Sequence, residues 1–141
     1  MAEGRGAGGD RSRDGSGGPE VRVRRVYEEA GPGDGRRVLV DRIWPRGLSR
    51  DAAELDEWCK DAAPSDGLRR WYGHAPERYA EFAGRYRAEL EEAGRHEAVE
   101  RLRESAGEGT LTLLTATRDV ERSHAVVLAE VLRETARGAP D

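Results

Sequence analysis

The sequence predicts a small, single α/β domain in which helices pack over a short, mostly parallel sheet. Two largely apolar segments, Val38–Asp41 and Leu111–Thr117, have the composition of strands buried on both faces. The long stretch between them has helical periodicity, and neighbouring parallel strands require such a crossover connection. The chain has 141 residues, 36% of them hydrophobic, which suffices for one modest core.

The chain divides into a tail and a folded domain. Residues 1–19 are dominated by Gly, Ser, Arg and Asp, and this composition predicts a disordered tail. The domain, residues 20–138, begins with a short strand over Val21–Tyr27, where apolar residues and arginines mostly alternate. The turn Ala30–Gly35 follows. Its glycines precede a strand instead of following one, so they do not form a dinucleotide-binding loop.

Caps and breakers divide the region between the two buried strands. Ser49 and Ser65 are expected to cap helices, and Pro76 suits the first turn of another. The helix after Ser49 is predicted to bury one apolar stripe, made of Ala52, Leu55, Trp58 and Cys59. The helix after Ser65 contains Leu68 and Trp71.

Helical spacing then continues to the end of the chain. The helix after Pro76 is predicted from Tyr79, Phe82, Ala83, Tyr86 and Leu90. A further apolar set, Ala98, Val99 and Leu102, either extends this helix or forms a following one that Gly107 and Gly109 end. Ser123 is expected to cap the last helix, whose inward residues are Ala125, Leu128, Val131 and Leu132.

Composition excludes several classes of protein. The net charge of -4 argues against bulk coating of DNA, and no apolar segment is long enough to span a bilayer. The first residues lack a signal-peptide core, so we expect a cytoplasmic protein without a membrane partner. The single Cys59 excludes a disulfide framework, and arginines beside Asp41 and Asp119 oppose magnesium binding. We expect no metal and no cofactor.

Charged and aromatic side chains follow both predicted buried strands. Ligands of open α/β sheets bind beyond the carboxyl ends of the strands, so we expect these side chains to meet there. Guanidinium groups bind phosphate or carboxylate as a fork, and the candidate anion ligands are Arg42, Arg46 and Arg118. The candidate catalytic groups are Asp41, Asp119 and His124. Trp44 and Tyr72 are expected to form the pocket wall.

These parts favour an enzyme that acts on a small anionic substrate, such as a nucleotide or a sugar phosphate, by hydrolysis or glycosyl transfer. One alternative is a non-catalytic module that binds a metabolite or a protein carboxylate through the same arginines. A second is a nucleic-acid binder that uses Arg22, Arg24, Arg69 and Arg70, the last two in the interleaved basic and aromatic segment Leu68–His74. A third is that Asp41–Arg118 and Asp119–Arg42 are structural ion pairs only.

Several stretches identify a family resemblance. The longest is Val38–Ser49, which contains the run Trp44-Pro45-Arg46-Gly47, and others are Leu68–Tyr72, Arg118–Asp119 and His124–Leu128. Together they make the chain resemble the YeaO-like branch of domain-of-unknown-function family 488, a group of small bacterial proteins. The resemblance implies a compact α/β fold and implies no reaction. Some members carry transcription-regulator labels, but the sequence has no helix-turn-helix with a basic recognition helix.

Overall fold

The computed structural model describes residues 20–138, with side chains as far as residue 134. The strands and helices, in chain order, are β1 (Val21–Arg25), β2 (Arg36–Leu39), α1 (Arg50–Ala53), β3 (Glu57–Trp58), α2 (Asp66–Tyr72), α3 (Tyr79–Glu89), α4 (Ala93–Glu108), β4 (Leu111–Thr115) and α5 (His124–Gly138). Short 3-10 turns occupy Lys60–Ala62, Pro76–Arg78 and Val120–Arg122. The predicted tail, residues 1–19, lies outside the described residues.

The strands form one parallel sheet in the order β1-β4-β2-β3. Val38 of β2 lies opposite Leu113 of β4, and Val23 of β1 lies opposite the same leucine on the other side. β4 is therefore central, and all five of its residues are buried. This arrangement confirms the predicted α/β class and the parallel pairing of the two apolar segments.

The two faces of the sheet are covered differently. Side chains alternate between faces along a strand, so Val38 and Val40 join the large core beneath the helices, whereas Leu39 points to the other face. On that second face Leu39, Leu114 and Val26 form a small cluster. Its cover comes from the chain between β2 and α2, through the partly buried side chains of Trp44, Leu48, Leu55 and Trp58.

A buried ion cluster occupies the second face at the amino ends of the strands. The carboxylate of Asp34 accepts hydrogen bonds from Arg24 (2.9 Å), Arg37 (2.5 Å) and the backbone N–H of Gly31 (3.1 Å). Although burial opposes its charge, these donors outweigh that cost and lower the pKa of Asp34. Gly35 follows with φ +64°, and a Cβ there would collide with the Thr110 carbonyl group, so the turn requires glycine.

One helix prediction is wrong. The helix after Ser49 was expected to bury one apolar stripe made of Ala52, Leu55, Trp58 and Cys59, and it does not extend that far. Ser49 caps the helix as expected, because its hydroxyl accepts from the N–H of Ala52 at 3.0 Å, but α1 makes one turn only. The guanidinium of Arg37 donates to the carbonyls of Ala53 and Glu54 and so ends it. The chain then pairs Glu57–Trp58 with β2 as an edge strand.

The other helix predictions are largely confirmed. Ser65 caps α2 through a hydrogen bond from the N–H of Leu68, and the second apolar set forms a separate helix, α4. Gly107 lies inside α4, whereas Gly109 follows its end. Cys59 is not within a helix, but it is a buried small side chain as predicted. Across residues 20–138, no helix has the length and apolar character that crossing a membrane would need.

Candidate anion-binding site

A cavity of about 660 Å³ lies beyond the carboxyl ends of β2 and β4. The segments that follow these two strands form much of its lining, and α2 with its flanking loops, α3 and the start of α5 contribute the rest. Every side chain predicted for the site lines this cavity: Asp41, Arg42, Trp44, Arg46, Tyr72, Arg118, Asp119 and His124. The structure therefore brings the predicted residues together, while their roles remain predictions.

Asp41 links the ends of the two central strands. Its Oδ2 atom accepts a 2.8 Å hydrogen bond from the backbone N–H of Ala116, which follows β4. Its Oδ1 atom is buried and has no well-aligned hydrogen-bond donor among residues 20–138. The carboxylate is thus directed into the protein, where it ties one strand end to the other.

His124, the first residue of α5, completes this link. Its Nε2 atom lies 2.9 Å from the carbonyl oxygen of Val40 and 3.3 Å from Oδ1 of Asp41. A carbonyl oxygen can only accept a hydrogen bond, so Nε2 carries a hydrogen and donates a hydrogen bond to the Val40 carbonyl. The imidazole also packs edge-to-face on Tyr86, with ring centroids 5.9 Å apart. The ring is held on two sides, and only 11% of the side chain is exposed.

Asp41 is charged at neutral pH. Burial raises the pKa of this carboxyl group, but the nearby N–H of His124, the charge of that ring when protonated, the Ala116 N–H and the Thr115 hydroxyl together lower the pKa below its ordinary value. A charged, mostly buried carboxylate beside a histidine is an arrangement that enzymes use to orient a base. It is also one that proteins use to fix a loop.

The arginines of the cavity differ in whether an acid neutralises them. Arg42 and Arg69 share the carboxylate of Asp66, at 3.2 and 3.4 Å, and Arg122 pairs with Asp119 at 2.9 Å. Neither Asp41–Arg118 nor Asp119–Arg42, the two structural pairs considered from the sequence, is formed: Asp41 lies against His124 and Asp119 against Arg122.

Among the described residues, Arg46 and Arg118 are the two arginines of the cavity lining that have no partner. Both side chains are exposed, and neither guanidinium has an ion-pair or hydrogen-bond partner within the part of the chain that the structure describes. The loop that carries Arg46 is nevertheless anchored, since its backbone carbonyl accepts a 2.8 Å hydrogen bond from the hydroxyl of Tyr27. The two guanidiniums can therefore meet an anion without first breaking an internal contact.

Both predicted aromatic walls are fixed in place. The indole N–H of Trp44 donates to the Leu48 carbonyl at 2.6 Å, and the ring packs edge-to-face on Trp58. Tyr72 stacks on Phe82 with centroids 4.3 Å apart and donates its hydroxyl to the Arg122 carbonyl. Trp44 thus belongs to the small core cluster and to the cavity lining at once.

Sequence reasoning left three basic residues of the cavity lining out of the site. Arg122 lies in the chain between the predicted residues Asp119 and His124, and this position could have indicated that it belongs to the cavity. Arg69 and His74 belong to the interleaved segment considered for nucleic acid, and both line the cavity instead. His74 has φ +58° directly after a left-handed Gly73, a conformation that is uncommon outside glycine.

The arginines considered for nucleic acid are largely neutralised within the chain. Arg22 pairs with Glu20, and Arg24 pairs with Glu28 and with the buried Asp34. No group of three or more His, Cys, Asp or Glu side chains within the described residues is placed to hold a metal ion.

Comparison with known proteins identifies the family. Residues 20–139 match the family model DUF488-N3i, described as "Inactive DUF488-N3 subclade". The chain belongs to the DUF488-N3i family. This assignment confirms the resemblance that the motifs carried. No solved structure matches the chain.

Two relatives of this DUF488-N3i chain carry the name "Uncharacterized protein". The chain is 54% identical over 112 residues to Uncharacterized protein Rv3073c of Mycobacterium tuberculosis, which covers 79% of this chain and 92% of that protein. It is 41% identical over 113 residues to Uncharacterized protein YeaO of Escherichia coli, covering 80% and 96% respectively.

Proposed function

We propose that this DUF488-N3i protein binds a small anionic molecule in the cavity at the carboxyl edge of its sheet, and that it binds without turnover. The observation that carries the proposal is that two guanidiniums on different loops of one cavity, Arg46 and Arg118, have no partner among the described residues. Guanidinium groups bind phosphate and carboxylate oxygens through paired, charge-assisted hydrogen bonds. A concave, partly desolvated site strengthens those bonds relative to a flat surface.

Two further points support binding over catalysis. Both oxygens of the Asp41 carboxylate are engaged within the protein, since Oδ2 accepts from the Ala116 N–H and Oδ1 is buried 3.3 Å from Nε2 of His124. The Nε2–H of His124 is likewise committed to the Val40 carbonyl. The description of the matched family as inactive agrees with a structural role for Asp41 and His124.

A second candidate is the enzyme predicted from the sequence. One observation favours it: Asp41 lies 3.3 Å from His124, as a carboxylate does when it orients a general base. In this candidate Asp119, whose side chain is half exposed at the cavity, acts as acid, base or nucleophile. The substrate would be nucleotide- or sugar-phosphate-like, cleaved by hydrolysis or glycosyl transfer.

A thermal-shift screen tests the proposal. Nucleoside monophosphates, sugar phosphates and carboxylates are offered to the wild type, Arg46→Ala, Arg118→Ala and a control, Arg70→Ala. Arg70 is an exposed arginine of α2 outside the cavity, so its loss removes the same charge elsewhere. A ligand present at a hundred times its Kd adds about 2.7 kcal/mol to the free energy of unfolding, which a melt detects.

We expect a shift in the wild type and in Arg70→Ala that both cavity variants lose. Failure of every anion to shift the melt contradicts the proposal. A product assay on the wild type with any ligand that binds then separates the two candidates, because a binding module converts none and an enzyme converts it. In the enzyme, Asp119→Asn and His124→Asn should still bind the ligand and lose turnover.

A further inference from the structure

The charges around the cavity do not cancel. Five arginines line it: Arg42, Arg46, Arg69, Arg118 and Arg122. Three carboxylates face them, because Asp41 and Asp119 also line the cavity and Asp66 lies between Arg42 and Arg69. Five guanidiniums and three carboxylates leave an excess of two positive charges around the cavity among the described residues. Of the five, the guanidiniums of Arg46 and Arg118 are the two that have no partner in residues 20–138.

We infer that the ligand of this site is an organic phosphomonoester, bound as its dianion. The inference rests on the proposed function and specifies its ligand. A phosphomonoester carries about two negative charges near neutral pH and presents three acceptor oxygens, which matches two guanidinium forks. A carboxylate or a phosphodiester carries one negative charge, and would leave one of the two guanidiniums without a counter-charge.

The rest of the lining argues for an organic group attached to the phosphate. About 660 Å³ is far larger than inorganic phosphate needs and falls in the size range of sites for small organic ligands. Apolar side chains form part of the wall, among them Ile43, Pro45 and Phe82. Ile43 is 61% exposed, an unusual position for a large aliphatic residue that a bound apolar group would cover.

Asp66 acts in this arrangement as an internal counter-ion. Its carboxylate holds Arg42 and Arg69, so those two guanidiniums are already satisfied when the ligand arrives. Replacing Asp66 with Asn keeps its size and removes its charge. We expect this change to release Arg42 and Arg69 and to tighten binding of any anion, and the preference for a dianion should persist.

A matched pair of probes tests the inference. Phenyl phosphate is a dianion near pH 7.5, and phenyl methyl phosphate has the same ring and phosphorus centre with a single charge. Isothermal titration of the wild type should give an affinity for phenyl phosphate at least about tenfold higher than for phenyl methyl phosphate. A difference of this size is expected because the second charge adds one charge-assisted hydrogen-bonded pair. Arg46→Gln and Arg118→Gln should each reduce that ratio towards unity, and Arg70→Gln should leave it unchanged.

The outcomes separate the inference from the proposed function. Equal affinities for the two probes overturn the dianion preference while anion binding itself stands. Binding of neither probe, in a wild type that also fails the anion screen, overturns both. A preference that survives Arg46→Gln and Arg118→Gln unchanged, in variants whose melting temperatures match the wild type, shows that other residues select the ligand and overturns the assignment.

Discussion

His124 and Asp41 meet at the point where β2 and β4 both end, with Nε2 of the histidine 3.3 Å from Oδ1 of the aspartate. The same imidazole N–H donates to the Val40 carbonyl, and the other carboxylate oxygen accepts from Ala116. Two side chains thus connect the exit of β2, the exit of β4 and the start of α5. The floor of the cavity is therefore built as one hydrogen-bonded unit.

Removing the His124 ring should destabilise the fold. In His124→Ala the Val40 carbonyl and the charged Asp41 lose their neighbouring N–H, and a buried group without its partner costs about 1–3 kcal/mol in the free energy of unfolding. Urea denaturation measures the loss. His96→Ala is the control, because His96 is an exposed residue of α4 and its replacement should change stability by less than about 0.5 kcal/mol. Equal effects of the two changes would refute a structural role for the ring.

The Asp41 contribution should depend on pH. Its folded-state pKa is lowered below 3.8, so the stability it provides is present above that value and is lost as pH falls through the lower, folded-state pKa. Asp41→Asn should therefore be most costly near pH 7, and the difference from wild type should shrink as the pH falls from neutral to below 3.8. Urea titrations of both proteins across this range check the sign. A difference that is constant with pH would show that the charge contributes nothing.

Arg118 should matter for binding and not for folding. Its guanidinium has no partner among residues 20–138, so Arg118→Ala should change the free energy of unfolding by less than about 0.5 kcal/mol. Thermal and urea denaturation of the ligand-free protein test this. A loss comparable to that of His124→Ala would revive the interpretation of this arginine as part of a structural ion pair.

The ion cluster at the opposite end of the sheet should be structural only. Asp34→Ala leaves the buried Arg37 without its carboxylate, a change that costs about 3 kcal/mol or more when a buried pair is broken. Glu20→Ala breaks the exposed pair with Arg22 and should cost less than about 1 kcal/mol. Chemical denaturation compares the two variants. Similar small losses would mean that Asp34 is better solvated than its 3% exposure indicates.

The sheet and the position of the site could both be predicted from the sequence, because one general rule connects them. Parallel strands deliver the residues that follow them to a common edge, so Asp41 and Asp119 could be assigned to one cavity although they lie far apart in the chain. The direction of the Asp41 carboxylate could not be predicted in this way. It depends on the Ala116 N–H and on where α5 begins, and both are set by tertiary packing.

The failed helix after Ser49 has a similar cause. Leu55, Trp58 and Cys59 have helical spacing, but Arg37 binds the carbonyls at the end of α1 and β2 offers an unpaired edge to Glu57–Trp58. Both competitors come from residues more than a turn away in sequence, which local periodicity cannot detect. The pairing of Arg42 with Asp66 was missed for the same reason.

Trp44 has a consequence for how this site can diverge among relatives. One side of its loop covers Leu39 and Leu114, so that side cannot change without uncovering the second face of the sheet. Ile43 and Arg46, on the same loop, are exposed and face the cavity. Substitutions at these two positions can accumulate at little cost to folding. New ligand preferences in the family should therefore arise by exchange of these neighbours around an unchanged tryptophan.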